Sequence, residues 1–404
     1  MTPACVADFR LLAQRRLPRF LFDYIDGGSY GEITMRRNVA GLEELALRQR
    51  VLRDVSDVRL ATNLMGMPAS MPVALAPIGL AGLYARRGEV QAAKAAEGAG
   101  VPFILSASAC CPIEEVVTGL QHPIAFQLYM IKDRAFMADM IERVRVAGVQ
   151  TLMMTVDLIV HSPRYRDLRS SLTGDQRLEA RLRRFVEIMR HPRWAWDVGL
   201  RGGPHVLGNF APAMPEGAGL ARFTAWVSRN FDPSITWDDL AWIKERWSGR
   251  LVLKGILDRD DARMAREIGA DSIVVSNHGG RQLDGAPATI TALPKVVDVV
   301  GHDVEVLMDG GIRSGLDVLR ALASGAKGVL LGRPWAFALA ARGGTGVADM
   351  LNLIRQELAV GMALTGHSDV GTVTRDALAT TGAIIDGREG RASPGGSLER
   401  ERST

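Results

Sequence analysis

EVLMDGGI (residues 305–312), GLDVLRALASGA (315–326) and GVLLGRP (328–334) follow one another in the chain: an apolar run, a segment of helical periodicity, and a second apolar run. Apolar runs this continuous read as strands buried on both faces. A helix between two of them makes a parallel crossover. The same unit recurs upstream. MPVALAPIG (71–79), VPFILSAS (101–108), PIAFQLYM (123–130), TLMMTVD (151–157), RLVLKGI (250–256) and SIVVSNHGG (272–280) are apolar runs ending in polar or glycine-bearing breaks, with helical segments such as EVQAAKAAEGAG between them. Eight units predict a (β/α)8 TIM barrel of class α/β. A doubly wound open sheet is the alternative, because counting strands does not prove closure. The first run lacks a G-x-G-x-x-G turn, which argues against a dinucleotide-binding version of that alternative.

Outside the repeats, FRLLAQRRLPRFLFDYIDGG (9–28) and TMRRNVAGLEELALRQRVL (34–52) read as short N-terminal helices that cap or flank the barrel. Residues 170–235 form a long insertion after the fourth strand. One domain is expected over 1–385, followed by a polar, disordered tail over 386–404.

With 404 residues, 47% of them hydrophobic and 23% charged, the chain can bury a large core. The net charge of +4 comes from dispersed arginines rather than a basic block, which argues against a nucleic-acid partner. Three cysteines, Cys5, Cys110 and Cys111, make neither a disulfide framework nor a zinc site, so no metal is expected. No apolar h-region opens the chain and no run reaches the roughly 18 apolar residues of a membrane span. The reading is a cytoplasmic protein, soluble or lying on a membrane.

Polar residues gather at the C-terminal ends of the runs: Ser106, Ser108, Gln127, Tyr129, Thr155, Asp157, Lys254, Ser276, His278, Asp309 and Arg333. Strand-end solvation accounts for any one of them but poorly for the ring, and in a barrel that face carries the active site. SNHGGRQLDG (276–285) sends His278 and Arg281 off the sixth strand together, a base beside a carboxylate-binding fork. Asp157 either orients and charge-stabilises a histidine or caps its own loop. Arg164 and Arg166 serve the site or the surface equally well. DGGIRSG (309–315) and LLGR (330–333), after the last two strands, sit where barrels bind phosphate, with Arg313 or Arg333 adding charge. Lys254 lies inside an apolar run and needs a partner. It is an ion pair with a barrel aspartate, a Schiff-base lysine, or a cation placed where a cofactor gains negative charge.

Taken together with FQLY (126–129), VDLIV (156–160), RYRD (164–167) and FDYIDGG (22–28), these motifs resemble the FMN-dependent L-2-hydroxy acid oxidase and dehydrogenase family over about residues 8–370. Within it, PVALAPIGLAGLYARRGEVQAAKAA (72–96), HPRWAWDVGL (191–200) and RNFDPSITW (229–237) are similar to the bacterial respiratory branch, which implies L-lactate as substrate. The resemblance implies FMN as cofactor, His278 as base and Asp157 as its carboxylate. It implies Arg281 and Tyr24 as holders of the substrate carboxylate, Tyr129 as a partner of the substrate hydroxyl, and Arg164 as a positive charge over the substrate. It assigns Ser106, Gln127, Thr155, Lys254 and Ser276 to the isoalloxazine ring or ribityl chain, with Lys254 beside N1 and the C2 carbonyl. Asp309, Gly311, Arg313, Gly332 and Arg333 go to the ribityl hydroxyls and phosphate.

Gly79, in APIGL, stands where the family's oxidases carry alanine, which favours a dehydrogenase; a strand-end glycine reads equally well. The stretch from Arg177 to Trp196 mixes Arg177, Arg181, Arg183, Arg184, Arg190 and Arg193 with Phe185, Trp194 and Trp196. It reads as a segment lying on an anionic membrane or as a solvated helix whose apolar side packs on the barrel. The resemblance favours peripheral attachment to the cytoplasmic side of the inner membrane, a quinone acceptor and a homo-oligomer. A soluble oxidase releasing hydrogen peroxide is the rival enzyme, and a non-catalytic flavoprotein the rival of another class.

Overall fold

The structure is a computed structural model, and it describes residues 1–170, 178–215, 222, 225–226 and 229–379. The polar tail expected over 386–404, and residues 171–177 of the insertion, lie outside the described residues.

Each of the eight apolar runs contains a strand. After a small antiparallel hairpin, β1 (Thr62–Leu64) and β2 (Met67–Ala69), come β3 (Val73–Leu75), β4 (Ile104–Ser106), β5 (Ala125–Tyr129), β6 (Thr151–Thr155), β7 (Arg250–Ile256), β8 (Ser272–Val275), β9 (Glu305–Met308) and β10 (Gly328–Leu331). These eight are parallel, in the order β3-β10-β9-β8-β7-β6-β5-β4. The remaining seam closes where Leu75 bridges Phe103 in parallel and the Leu75 N–H donates to Pro102 O at 2.9 Å. The sheet is therefore a closed TIM barrel and not the open alternative.

Alternation along each strand explains why six of the eight runs carry a polar residue near their end. Side chains two residues apart share a face. Ala74, Ile104, Ala125, Met153, Val252, Val274, Leu307 and Leu330 form the barrel's inner apolar cluster together with Leu64, Met65 and Met67 of the hairpin. Two residues further on, the same inward face presents Ser106, Gln127, Thr155, Lys254, Ser276 and Asp309. The intervening residues, among them Leu105, Leu128, Leu253, Ile273 and Met308, point outward into the helix-covered core. The hairpin plugs the N-terminal mouth. Thr151 Oγ1 donates to Met65 O at 3.0 Å, and the Met65 N–H donates to the Glu305 carboxylate at 3.0 Å.

At the other mouth lie the N-terminal helices. Val6–Arg16 ends at Leu17, whose extended backbone the following Pro18 favours, and Arg19–Asp26 starts anew. Arg10 and Arg166 both grip Asp26, at 2.6 Å each, fixing this helix end against the loop after β6. In the insertion, helix Leu178–Arg190 turns at Pro192 into Trp194, whose buried indole N–H donates to Leu83 O at 2.8 Å. Ile188 of that helix packs against the core, while a neighbouring apolar stripe stays exposed among the described residues. Leu178, Leu182, Phe185 and Met189 are 80%, 61%, 59% and 63% exposed, and their spacing places them on one face.

Candidate active site

Directly after β8 the chain turns through three left-handed residues, His278 (φ 58°), Gly279 (64°) and Gly280 (73°). The non-glycine among them is held there by its own N–H, which donates to Ser276 Oγ at 3.0 Å. Gly280 is required by packing, since a Cβ would lie 2.5 Å from Met35 N of helix Ile33–Glu43. The turn aims the imidazole at the end of β6, where His278 Nδ1 lies 2.9 Å from Asp157 Oδ1. Opposite Asp157, Gly255 has φ 115°, and a Cβ there would lie 2.6 Å from the aspartate's Cβ.

The electrostatics of this pair are set by burial and by cations. Burial pushes the His278 pKa down. Asp157 opposes it, Lys254 and Arg164 reinforce it, and the net shift is downward. Burial pushes Asp157 up, but His278 and Lys254 outweigh that and hold its carboxyl below its usual value. Near neutral pH the pair is a free imidazole beside a carboxylate, able to take a proton and to stabilise the charge that results.

Lys254 forms the ion pair, which keeps it a charged group that a cofactor can meet. Its Nζ lies 3.0 Å from Asp309 Oδ2 and 2.9 Å from Ser276 Oγ. Burial lowers the ammonium's pKa, but Asp309 and Asp157 prevail and raise it, so the group stays charged rather than serving as a nucleophilic amine. Beside it, Ser106 Oγ donates to Gln127 Oε1 at 3.0 Å, leaving Gln127 Nε2 buried without a partner; Asp309 Oδ1 is likewise unpartnered. Thr155 is buried in the same layer.

Tyr24 and the arginines converge above this floor. The Tyr24 ring lies 4.9 Å from the Arg281 guanidinium and 5.7 Å from that of Arg164. Arg281 Nη1 donates to Tyr24 O at 2.6 Å and Gly27 O at 2.8 Å. Arg333 donates to Ile25 O, Gly279 O and Gly27 O, so it ties the N-terminal segment to the His278 loop besides adding charge. Burial, then the neighbouring Arg281 and Arg313, press its pKa well below the usual guanidinium value. Burial likewise lowers Arg313, and Arg164, beside Arg281, is lowered for the same two reasons. Half-buried cations that depress one another call for anions. Tyr129 packs edge-on against Phe231 at 5.3 Å, and burial raises its phenol's pKa.

Among the glycines expected at the phosphate, Gly332 precedes the helix Arg333–Leu364, and nothing lies within 4 Å of the Cβ it lacks, leaving space before that helix's N-terminus. Gly311 is glycine for another reason: with φ 87°, a Cβ would lie 2.4 Å from Asn38 O. Gly79 abuts Ser108, whose Cβ would be 3.2 Å away. The structure adds Gln282, whose amide donates to Asp157 O at 2.9 Å and Val160 O at 3.0 Å. It also adds Asn277, which exchanges hydrogen bonds with Asn38 at 2.8 Å in both directions. Both stand inside SNHGGRQLDG and their position beside His278 was the available signal.

A parallel barrel whose C-terminal mouth gathers a half-buried imidazole–carboxylate pair and a cluster of cations has the form of a cofactor-dependent barrel enzyme. Residues 13–380 match the profile of the FMN-dependent dehydrogenase family. An L-lactate dehydrogenase of Caulobacter sp. (strain K31) is 55% identical over 94% of this chain and 100% of its own length. One of Stenotrophomonas maltophilia (strain R551-3) is 56% identical over 92% and 97%. The crystal structure of the monotopic membrane protein (S)-mandelate dehydrogenase superposes with a TM-score of 0.88 at 34% identity, over 94% of this chain and all of that one. The chain belongs to the FMN-dependent dehydrogenase family and is an FMN-dependent L-2-hydroxy acid dehydrogenase. Its residues fit FMN: among the described residues an unpartnered amide donor on Gln127 and an unpartnered carboxylate oxygen on Asp309, a charged Lys254 paired with Asp309, and open space before a helix N-terminus beside half-buried arginines.

Proposed function

We propose that this protein oxidises L-lactate to pyruvate and delivers the two electrons to a quinone at the cytoplasmic face of the inner membrane. The observation that carries the reading is the half-buried His278–Asp157 pair close to Arg281, Arg164 and Tyr24. Bound FMN supplies the two-electron acceptor. Ser106, Gln127, Thr155, Lys254 and Ser276 would hold its ring and ribityl chain, and Asp309, Gly311, Arg313, Gly332 and Arg333 its ribityl and phosphate end.

Arg281 and Tyr24 orient the substrate carboxylate, and Arg164 adds positive charge above it. Tyr129 hydrogen-bonds the hydroxyl at C2. His278 takes one proton, from C2 or from the hydroxyl according to which bond breaks first, and Asp157 stabilises the imidazolium. Lys254 would supply positive charge to a bound flavin and so favour its negatively charged reduced form. Lactate is supported by the relatives at 55–56% identity.

Peripheral attachment is supported by the exposed stripe on Leu178–Arg190 and by the monotopic neighbour. No helix among the described residues is long and apolar enough to cross a membrane. We also expect self-association.

Anaerobic bleaching of the bound flavin by L-lactate, compared with glycolate and L-mandelate, tests the substrate; no preference for lactate overturns it. Quinone reduction measured against oxygen consumption on the same sample tests the acceptor, and faster oxygen use would make the protein an oxidase. Vesicle flotation of a chain lacking residues 177–196 tests attachment, and unchanged binding would end that part of the reading.

A further inference from the structure

Between the first turn of helix Arg19–Asp26 and the insertion helix Leu178–Arg190 runs a groove of about 380 Å³ that the catalytic machinery does not use. Phe20, Leu182 and Val186 form its apolar floor. Arg19, Arg169, Arg183 and Arg190 stand around it, brought together from three segments of the chain. Among the described lining residues the one carboxylate, Glu187, pairs with Arg190 Nη1 and accepts from the Arg19 N–H, each at 3.3 Å, and Arg19 itself pairs with Asp23 at 3.3 Å. The lining therefore keeps a strong positive excess over an apolar base.

Leu182 belongs both to this groove and to the exposed stripe of Leu178, Phe185 and Met189. A ligand that fits both parts has an anionic head and a long apolar body. A free phosphate satisfies the rim and leaves the stripe in water; an uncharged amphiphile covers the stripe and leaves Arg169 and Arg183 with no anion among the described residues. We propose that this groove is a headgroup site for an anionic phospholipid of the bilayer, with the phosphate among Arg169, Arg183 and Arg190 and the acyl chains along the stripe. The proposal rests on the membrane reading above and adds to it the chemistry of the lipid and the residues that select it.

The test uses the full FMN-loaded protein with vesicles of phosphatidylcholine alone and of phosphatidylcholine mixed with phosphatidylglycerol. The expected result is much tighter binding to the mixed vesicles. Arg183→Gln combined with Arg190→Gln should weaken that binding about thirtyfold, from roughly fivefold per arginine near an anionic surface, while lactate turnover with a soluble dye stays unchanged and confirms the fold. Soluble glycerol phosphate should not displace the protein. Equal binding to both vesicles overturns the headgroup site and leaves membrane attachment standing; binding to neither overturns both. An anionic preference untouched by the double variant places the selectivity elsewhere and ends the proposal, and ready displacement by glycerol phosphate makes the groove a site for a free phosphate compound.

Discussion

His278 Nδ1 and Asp157 Oδ1 lie 2.9 Å apart across 121 residues of sequence, joining the ends of β8 and β6. Burial, reinforced by Lys254 and Arg164, holds the imidazole's pKa below its usual value, while Asp157 alone resists. The rate of flavin reduction by L-lactate should therefore fall on the acid side only below the ordinary imidazole range. Asp157→Asn removes the group that raises the imidazole's pKa, so the acid limb should move to still lower pH while the plateau drops about 10²-fold, near 3 kcal/mol for breaking a buried pair. His278→Gln should lose about 10²–10⁴-fold with no acid limb in that range. Stopped-flow reduction across pH reads both, and an acid limb that moves upward in Asp157→Asn contradicts the assignment.

Lys254→Met removes a buried cation and strands the Asp309 carboxylate, which lies 3.0 Å from Nζ. Breaking such a pair costs about 3 kcal/mol. The variant should unfold at lower temperature and release FMN more readily, by about 10²-fold in Kd, read from flavin fluorescence on dilution. An unchanged Kd would leave Lys254 as a structural ion pair alone.

How far the sequence reached is clearest inside the barrel. The eight runs were readable because strands covered on both faces need unbroken apolar sequence, and the two-residue period brought Lys254, Ser276 and Asp309 onto one face. Closure was not readable, because it rests on one bridge, Leu75 to Phe103, with no composition of its own. The hairpin plug was missed for a related reason: its strands have three residues each, too short for a period. Arg281 and Arg333 were found as cations, but their bonds to the carbonyls of residues 24, 25 and 27 were not, since backbone acceptors leave no mark on sequence. Whether the insertion's apolar side was covered or bare also had to wait for the structure, because its period is the same in either case.

Arg281→Lys keeps the charge and loses the planar fork along with the geometry that holds Tyr24 O and Gly27 O. Charge-assisted hydrogen bonds contribute about 1.5–3 kcal/mol each. The KM for L-lactate should rise about ten- to a hundredfold, with a smaller fall in kcat, in steady-state assays with a dye acceptor. A drop in kcat at unchanged KM would mean that Arg281 does not hold the substrate in its ground state.

Asp26→Asn tests the network that seats the N-terminal helix over the site. Burial raises the Asp26 pKa, but its bonds to Arg10 and Arg166 outweigh that and hold the carboxyl below its usual value. A carboxylate lowered in this way binds its proton more weakly in the folded chain than in the unfolded one. Its contribution to stability is therefore complete above the usual aspartate range and is lost as pH falls through the lowered value. Arg10 is 41% and Arg166 32% exposed, which screens the pair, so the expected loss is about 2 kcal/mol. The difference in unfolding free energy between the native chain and Asp26→Asn should be constant above about pH 5 and shrink below it. Because Asp26 ends the helix that carries Tyr24, the same variant should raise the KM for L-lactate more than it lowers kcat; a gap in stability that widens as pH falls would reverse the assigned sign.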